Sequence, residues 1–249
     1  MKVELNGKVF TFNDIDDPLF KKLLPLCAPN CMATRFGAFE TLYSVYNNIK
    51  YLVENNIPGD IVECGVWKGG LMQLASLTML ALGDNSRKIY LYDTFAGMPE
   101  PGELDKDWNN DSPYERWSSM RWDDGNSKGS RFGFGGSKEE IQKLMESTEY
   151  PIENLILVKG LVEETIPQNI PSKISYLRLD TDWYTSTSHE LNHLFPLLTV
   201  GGILVVDDYG YYKGARKATD EYIEKHKIQI LLSRVSSLGV REGIKQGNF

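Results

Sequence analysis

The stretch Asp60-Ile61-Val62-Glu63-Cys64-Gly65-Val66, continuing into Trp67-Lys68-Gly69-Gly70, decides the fold of this chain. The first residues form a short apolar run that ends at a glycine, which is typical of a buried strand. Residues 70–82 then have the length and composition of a helix. A strand that passes through a glycine-rich turn into a helix is the opening unit of an α/β sheet.

The same alternation continues on both sides of this unit. Strands are predicted at 88–93, 155–158, 174–180, 202–207 and 228–234, and helices at 14–26, 34–55, 184–198 and 214–225. Continuously apolar strands that alternate with helices indicate a parallel sheet covered on both faces. We therefore predict an α/β fold with a doubly wound, mainly parallel sheet, as a single domain over 1–249 that includes an N-terminal helical extension at 1–58.

Residues 99–137 interrupt the alternation as a long insertion. The segment contains three of the five tryptophans, Trp108, Trp117 and Trp122, together with Tyr114. Long insertions are usually functional or disordered, and disordered segments are poor in aromatic residues. We predict an ordered lid or substrate-binding insertion, with these aromatic side chains available to stack on a substrate, rather than a mobile linker.

Composition and charge narrow the class of protein. The net charge of −7 argues against nucleic-acid binding, and the segment from Glu100 to Asp124 alone carries eight acidic and three basic residues. No apolar run approaches the roughly 20 residues that cross a bilayer, and the N-terminus lacks the apolar stretch of a secretory signal. Three cysteines without a Cys-x-x-Cys pair fit reduced structural thiols. We expect a cytoplasmic protein with no membrane or nucleic-acid partner.

The turn after the first strand of the sheet is a candidate binding site. Its glycines let a ligand approach the backbone, and the N-terminus of the next helix offers free N–H groups. Trp67 stands where the dinucleotide fingerprint requires glycine, so a pyrophosphate is disfavoured. Glu63 before the first glycine suits a ligand with an ammonium group. The alternative is a tight turn in which Glu63 only caps the helix.

Asp93 ends the next strand and extends this interpretation. An acidic residue at that place in a βαβ unit commonly binds ribose hydroxyls. In isolation, an N-cap for the following turn is an equally good interpretation. Together, Glu63 and Asp93 predict a cofactor that carries an amino acid at one end and a ribose at the other, which favours S-adenosylmethionine over a nicotinamide dinucleotide.

A second acidic group follows two later strands. Asp180 and Asp182 end one strand, and Asp207 and Asp208 end the next. Carboxylates that converge at neighbouring strand ends repel one another unless a cation joins them, and oxygen ligands select Mg²⁺, Mn²⁺ or Ca²⁺. Such an ion would acidify and orient an acceptor hydroxyl, and Asp180 or Asp182 would accept its proton. The alternative is a pair of solvated acidic loops.

Four ordered blocks of this sequence resemble the macrocin O-methyltransferase (TylF type) family, over most of the chain from Thr34 onward. They are Gly59-Asp60-Ile61-Val62-Glu63-Cys64-Gly65-Val66-Trp67-Lys68-Gly69-Gly70, Tyr92-Asp93-Thr94-Phe95-Ala96-Gly97-Met98-Pro99, Leu177-Arg178-Leu179-Asp180-Thr181-Asp182-Trp183-Tyr184-Thr185-Ser186-Thr187 and Gly201-Gly202-Ile203-Leu204-Val205-Val206-Asp207-Asp208-Tyr209.

The resemblance implies a class I methyltransferase fold, S-adenosylmethionine as donor, a sugar hydroxyl as acceptor, and usually a homo-oligomer. It implies Mg²⁺ held by Asp180, Asp207 and Asp208. Thr181 stands where the family usually has glycine, which is a mild departure. The expected donor-binding residues are Glu63, Cys64, Gly65, Val66, Gly69, Gly70, Asp93, Thr94 and Phe95.

Three other interpretations of the sequence remain. The same acidic residues suit a Mg²⁺-dependent phosphatase with an aspartyl nucleophile, although the helix at 184–198 contains no lysine for that chemistry. His189-Glu190-Leu191-Asn192-His193 matches the zinc-protease motif H-E-x-x-H. We interpret it as a chance match on the solvent side of an amphipathic helix. A non-catalytic binding module is the third, with a purely structural cation.

Overall fold

The chain begins with an extension that is only partly helical. The computed structural model describes residues 1–5, 8–123 and 128–247. A β-hairpin precedes three helices, and the hairpin was not predicted. These elements are β1 (Lys2–Leu5), β2 (Lys8–Thr11), α1 (Pro18–Cys27), α2 (Met32–Arg35) and α3 (Phe39–Glu54). The single helix predicted at 34–55 is wrong, because Gly37 has a φ of +75° and separates α2 from α3.

The remaining elements alternate as predicted over most of the chain. In chain order they are β3 (Asp60–Cys64), α4 (Gly70–Ala81), β4 (Ile89–Asp93), α5 (Tyr114–Ser119), β5 (Arg121–Asp123), β6 (Lys128–Ser130), α6 (Lys138–Glu146), β7 (Leu155–Lys159), α7 (Val162–Thr165), β8 (Ile174–Leu179), α8 (Tyr184–Leu194), β9 (Leu198–Val206), α9 (Lys213–His226), β10 (Ser233–Arg234) and β11 (Arg241–Ile244).

The main sheet has seven strands in the order β10-β11-β9-β8-β3-β4-β7. The five strands from β9 to β7 are mutually parallel, and β11 and β10 join antiparallel at one edge. From the central β3 the chain builds outward through β4 and β7, then returns to build β8 and β9 on the other side. The carboxyl ends of β3 and β8 therefore border a topological switch point, where α/β sheets bind their ligands.

Each face of the sheet carries its own core, because successive side chains of a strand point to opposite faces. Ile61 packs on one face with α1, α3 and α4, whereas Val62 and Cys64 pack on the other with α8 and α9. This arrangement confirms the predicted α/β class with helices on both faces.

Several element boundaries differ from the prediction. The helix predicted at 184–198 ends at Leu194, because Pro196 lies in a 3₁₀ turn and Leu198 already begins β9. Of the strand predicted at 228–234, only β10 (Ser233–Arg234) forms. Strand β11, which pairs with β9, was not predicted. Helix α6 was also missed, although Ser137 and Glu140 form a capping box at its start.

The insertion at 99–137 is less irregular than its sequence suggested. Its described residues contain α5 and the antiparallel pair β5–β6, and residues 124–127 lie outside the described part. Trp117 and Phe132 of the insertion form a small core with Trp183, which follows β8. None of the helices in the described ranges is long and apolar enough to cross a membrane.

Candidate active site

The turn after β3 packs directly against the end of β8. Gly65 has a φ of +84°, and a Cβ atom there would lie 1.9 Å from the backbone oxygen of Asp180. The Gly65 N–H donates to Tyr92 O at 2.8 Å, and the Asp180 N–H donates to Cys64 O at 2.8 Å. The glycine is therefore required by contact between strand ends as well as by backbone conformation.

The rest of this turn is shaped by further positive φ angles, at Trp67 (50°) and Gly69 (76°). Gly70 begins α4 in contact with the N-terminal extension, since a Cβ atom there would lie 2.5 Å from the backbone of Asn30. The turn therefore presents backbone N–H groups at the start of α4, supported from behind by the extension.

Asp93 forms the local cap that was one of its two interpretations, while ribose binding stays a prediction. Its Oδ1 accepts from Phe95 N at 2.7 Å, which is the local cap. Its Oδ2 accepts from Val66 N at 2.7 Å and from Trp67 N at 3.2 Å, which fixes the turn after β3. Burial raises the pKa of Asp93, although the three backbone N–H groups act to lower it. The carboxylate ties the ends of β3 and β4 together.

Glu63 lies below this turn rather than on its open side. The side chain is 2% exposed, and its Oε1 lies 3.3 Å from Nε of Arg178, which is equally buried. Burial raises the pKa of Glu63 to about 8, although the Arg178 charge acts to lower it. One oxygen of the carboxylate thus faces Arg178, and the other, Oε2, is buried without a hydrogen-bond partner.

The other residues predicted to bind the methyl donor have side chains that point in different directions. Cys64 points into the core on the α8 side, and Val66 and Phe95 are buried in the core on the opposite face. These three residues offer a ligand at most their backbone. The Thr94 hydroxyl donates to Gly97 O at 2.6 Å.

A cavity of about 780 Å³ opens beyond the carboxyl ends of β4 and β7. Its walls come from the segment after β4, the segment after β7 and the insertion. Representative lining residues are Thr94, Gly97, Trp117, Trp122, Gly160 and Leu161. The cavity is of the size that holds a small organic ligand.

Three aspartates meet at the ends of β8 and β9. Asp180, Asp207 and Asp208 are half-buried, and each offers one oxygen within 4.8 Å of the others. No other group of three or more possible metal ligands occurs among the described residues. Nη2 of Arg178 lies 3.0 Å from Oδ2 of Asp180 and also contacts Oδ1 of Asp207. Oδ2 of Asp208 is buried without a hydrogen-bond donor.

Asp182 adjoins this group in a constrained conformation. Its φ is +65°, which is uncommon for a residue other than glycine. Burial raises the pKa of Asp182 to about 7, and the charges of Asp180 and Asp207 act in the same direction, while a contact with the Asp208 carboxyl group lowers it. A carboxyl group that titrates near neutrality is suited to exchange protons at physiological pH.

The aromatic residues of the insertion do not act as one group. Trp117 is 6% exposed and donates from its indole N–H to Met98 O at 2.9 Å, so it offers a ligand only the small part of its ring that lines the cavity. Trp122 lines the cavity. Trp108 and Tyr114 are 62% and 45% exposed. Trp108 follows Asp107, which forms a β-bridge with Tyr212 just before α9.

The H-E-x-x-H motif lies on α8, and none of its residues belongs to the one cluster of possible metal ligands found among the described residues. His189 Nε2 is 3.0 Å from Ile166 O, and His193 Nδ1 is 2.8 Å from His189 O. Glu190 is completely buried. The predicted solvent side of this helix is therefore wrong, because α7 packs against α8 there. Sequence periodicity could not reveal a second covering layer.

A parallel sheet in this order, with a glycine turn after its central strand and an acidic residue ending the next, defines a class I α/β methyltransferase. Comparison with known proteins places the chain within that class. The family profile of macrocin O-methyltransferase (TylF) matches residues 28–241. The chain therefore belongs to this family of S-adenosylmethionine-dependent O-methyltransferases.

Individual relatives agree with that assignment. Demethyldecarbamoylnovobiocin O-methyltransferase of Streptomyces niveus is 30% identical over 197 residues, which cover 78% of this chain and 70% of that enzyme. The 8-demethyl-8-(2,3-dimethoxy-alpha-L-rhamnosyl)-tetracenomycin-C 4'-O-methyltransferase of Streptomyces olivaceus is 29% identical over 198 residues, covering 78% and 70%. The solved O-methyltransferase NovP has a TM-score of 0.70 at 26% identity, covering 84% of this chain and 80% of its own. These matches favour methyl transfer over the phosphatase and protease hypotheses.

Proposed function

We propose that this enzyme transfers a methyl group from S-adenosylmethionine to a hydroxyl of a sugar or glycosylated natural product, with the help of a divalent cation. The observation that carries the proposal is the direct contact between the two parts of the site. The Gly65 turn packs against the backbone of Asp180, so a donor held by the turn lies beside the aspartate cluster. The name of the Streptomyces olivaceus relative, which describes a rhamnosyl-tetracenomycin acceptor, supports the acceptor class.

The donor's amino-acid end is assigned to the turn between β3 and α4. The backbone of Gly65, Val66, Gly69 and Gly70 would bind it there, and Asp93 would accept from the ribose. A carboxylate has about four acceptor positions, and backbone N–H groups use three of those on Asp93. The Thr94 hydroxyl also lies 3.5 Å from Asp93 Oδ1, but its single proton has the shorter contact, of 2.6 Å, with Gly97 O. The cavity beyond β4 and β7 has room for the nucleoside, next to Thr94.

The aspartate cluster fits a hard divalent cation. Carboxylate oxygens are the ligands that Mg²⁺, Mn²⁺ and Ca²⁺ prefer, and Oδ2 of Asp208, a member of the cluster, is buried without a hydrogen-bond donor. Asp180, Asp207 and Asp208 would hold the ion. When bound, such a cation lowers the pKa of an acceptor hydroxyl and fixes its orientation.

Asp182 is the better candidate for the base than Asp180. Asp180 is engaged by Arg178 and would serve the cation, whereas Asp182 contacts no basic side chain among the described contacts. Its carboxyl group lies beside that of Asp208. It would accept the acceptor's proton as the methyl group is transferred.

The acceptor is assigned to the side of the insertion. Trp108 lies next to the Asp107–Tyr212 bridge, and Tyr212 comes four residues after Asp208 in the chain. The exposed Trp108 and Tyr114 rings would stack on the apolar face of a sugar, and the insertion would act as a lid over it.

Calorimetric titration with S-adenosylmethionine and with its demethylated product tests the donor assignment. We expect both to bind, with and without Mg²⁺. Absence of binding by either compound at millimolar concentration would remove the donor assignment.

The metal assignment is tested by Asp207→Ala, with Asp16→Ala at an exposed position as the matched control. We expect Asp207→Ala to keep donor affinity within about threefold and to lose methyl transfer that Mg²⁺ stimulates, since only a metal ligand is removed. Asp16→Ala should behave as the wild type. Full Mg²⁺-stimulated activity in Asp207→Ala would eliminate the metal role.

A further inference from the structure

Glu190 is a completely buried acid on α8 that the proposed mechanism does not use. Its exposed fraction is 0%, although no basic side chain is paired with it among the described residues. Burying an acidic group costs free energy unless its surroundings satisfy it. The structure therefore retains at this position a polar group that a leucine of similar volume would replace at lower cost if packing were its only role.

The partner of Glu190 is the turn that carries the candidate metal ligand and base. The Thr181 hydroxyl donates to Glu190 Oε1 at 2.9 Å. Thr181 stands between Asp180 and Asp182, so this hydrogen bond joins α8 to the middle of the acidic turn. The two residues are nine positions apart in the sequence.

The turn itself is tightly bent. The Trp183 N–H donates to Thr181 O at 2.7 Å, and the Ser186 hydroxyl donates to the same oxygen at 3.3 Å. Asp182 has a positive φ of 65°. A strained conformation of this kind persists only where the surroundings hold it in place.

The same carboxyl group also contacts the donor side of the site. The Cys64 thiol lies against Glu190, and the backbone oxygen of Cys64 accepts from the Asp180 N–H at 2.8 Å. Glu190 therefore contacts the end of β3 as well as the turn after β8. The Glu190 side chain therefore joins the end of β3, which precedes the proposed donor-binding turn, to the Asp180–Asp182 turn after β8.

We propose that Glu190 is a positioning residue, which holds the Asp180–Asp182 turn in its cation-binding geometry through the Thr181 hydroxyl. This inference rests on the proposed metal site. Glu190 touches neither donor nor acceptor, and it acts through Thr181. Loss of the hydrogen bond should loosen the turn and weaken cation binding, while the donor turn, held by Asp93 and Gly65, stays in place.

The test measures Mg²⁺ and Mn²⁺ affinity by calorimetry, together with S-adenosylmethionine affinity and thermal stability. Thr181→Val keeps the side-chain shape and removes the hydroxyl, and Glu190→Leu removes the acceptor. We expect each to weaken cation binding about tenfold or more, with donor affinity changed less than threefold. Thr181→Ser and Glu190→Gln, which keep a hydrogen bond, should restore binding to within about threefold of the wild type.

A double variant and a control separate positioning from general destabilisation. The double variant, Thr181→Val with Glu190→Leu, should have a cation affinity no lower than that of the single variant that binds less tightly. The reason is that both changes remove the same hydrogen bond. Thr219→Val removes a buried hydroxyl that donates to Ala215 O at 2.8 Å on α9, and should leave cation affinity unchanged.

The outcomes distinguish this inference from the proposed function. If the wild type binds no cation, the metal assignment fails and the inference fails with it. If the wild type binds and Thr181→Val binds equally well, only the positioning role is overturned. Losses that multiply in the double variant, or an equal loss in Thr219→Val, would also overturn it. Because Thr181→Val preserves shape, the test stands even if Glu190→Leu does not fold.

Discussion

Gly65 is the point where the turn after β3 touches the Asp180–Asp182 turn after β8. A side chain there would overlap the Asp180 backbone oxygen, which no rotamer change can relieve. Gly83 also has a positive φ, of 79°, but no atom lies within 4 Å of a Cβ placed there. The two glycines therefore separate the cost of backbone conformation from the cost of overlap.

We expect Gly83→Ala to lower the free energy of unfolding by about 1 kcal/mol, the usual cost of a left-handed conformation. Gly65→Ala should cost roughly 3 kcal/mol or more and abolish methyl transfer, since Asp180 must also shift. Denaturant unfolding and an activity assay measure both. Equal costs for the two variants would show that the overlap is relieved without disturbing the site.

Glu63 gives a second prediction at this scale. Its pKa is about 8 in the folded protein against an ordinary 4.5. The folded state therefore binds more protons between these values, and the stabilisation from this group is lost as the pH rises toward 8. We expect Glu63→Gln, which resembles the protonated form, to gain stability relative to the wild type from pH 5 to pH 8.

Urea unfolding at both pH values, without added metal, measures that difference. The exposed Glu153→Gln is the matched control and should show no such trend. A wild type and Glu63→Gln pair whose stabilities change in parallel with pH would show that Arg178 keeps Glu63 ionised in the folded state.

At the scale of elements, the insertion has an anchored part and an exposed part. Trp117 on α5 packs with Phe132 and Trp183. The two tryptophans also bind the segment after β4, since the indole N–H of Trp117 donates to Met98 O and that of Trp183 donates to Pro99 O. Trp108 is exposed and precedes α5. The aromatic core around Trp117 fixes the insertion to the sheet, whereas the exposed Trp108 ring is accessible to a ligand.

Trp117→Phe should therefore lower the free energy of unfolding by about 1–3 kcal/mol, because Met98 O loses its donor in a partly buried site. Trp108→Phe should change stability by less than about 0.5 kcal/mol. Trp108→Ala should raise the KM for the acceptor without changing that for S-adenosylmethionine. An unchanged acceptor KM would remove Trp108 from the proposed acceptor surface.

At the scale of the whole molecule, cation binding should be linked to folding, because the three ligands come together only in the native sheet. A ligand at one hundred times its dissociation constant stabilises the native state by about 2.7 kcal/mol. For a chain of this size, we expect Mg²⁺ to raise the Tm by roughly 5–10 °C. Asp207→Asn should abolish the shift, and a shift that persists would place the ion elsewhere. Homo-oligomerisation stays a prediction, which light scattering would test.

The sequence predicted the sheet and the position of its acidic strand ends because parallel strands carry their carboxyl ends to one edge. Glu63, Asp93, Asp180 and Asp207 could be placed there from strand order alone. The antiparallel edge was harder to predict, since β10 and β11 are short and gain their pairing from β9. The hairpin at the N-terminus gave no clear periodicity.

By itself, then, the sequence determined the fold, the family resemblance and the edge of the sheet where the chemistry would occur. The tertiary structure decided which carboxylates face that edge. Glu63 is turned below it toward Arg178, and Glu190 reaches it from α8 through Thr181. The physical reason is that strand alternation fixes the side of the sheet on which a residue lies, whereas burial and partners depend on elements distant in sequence.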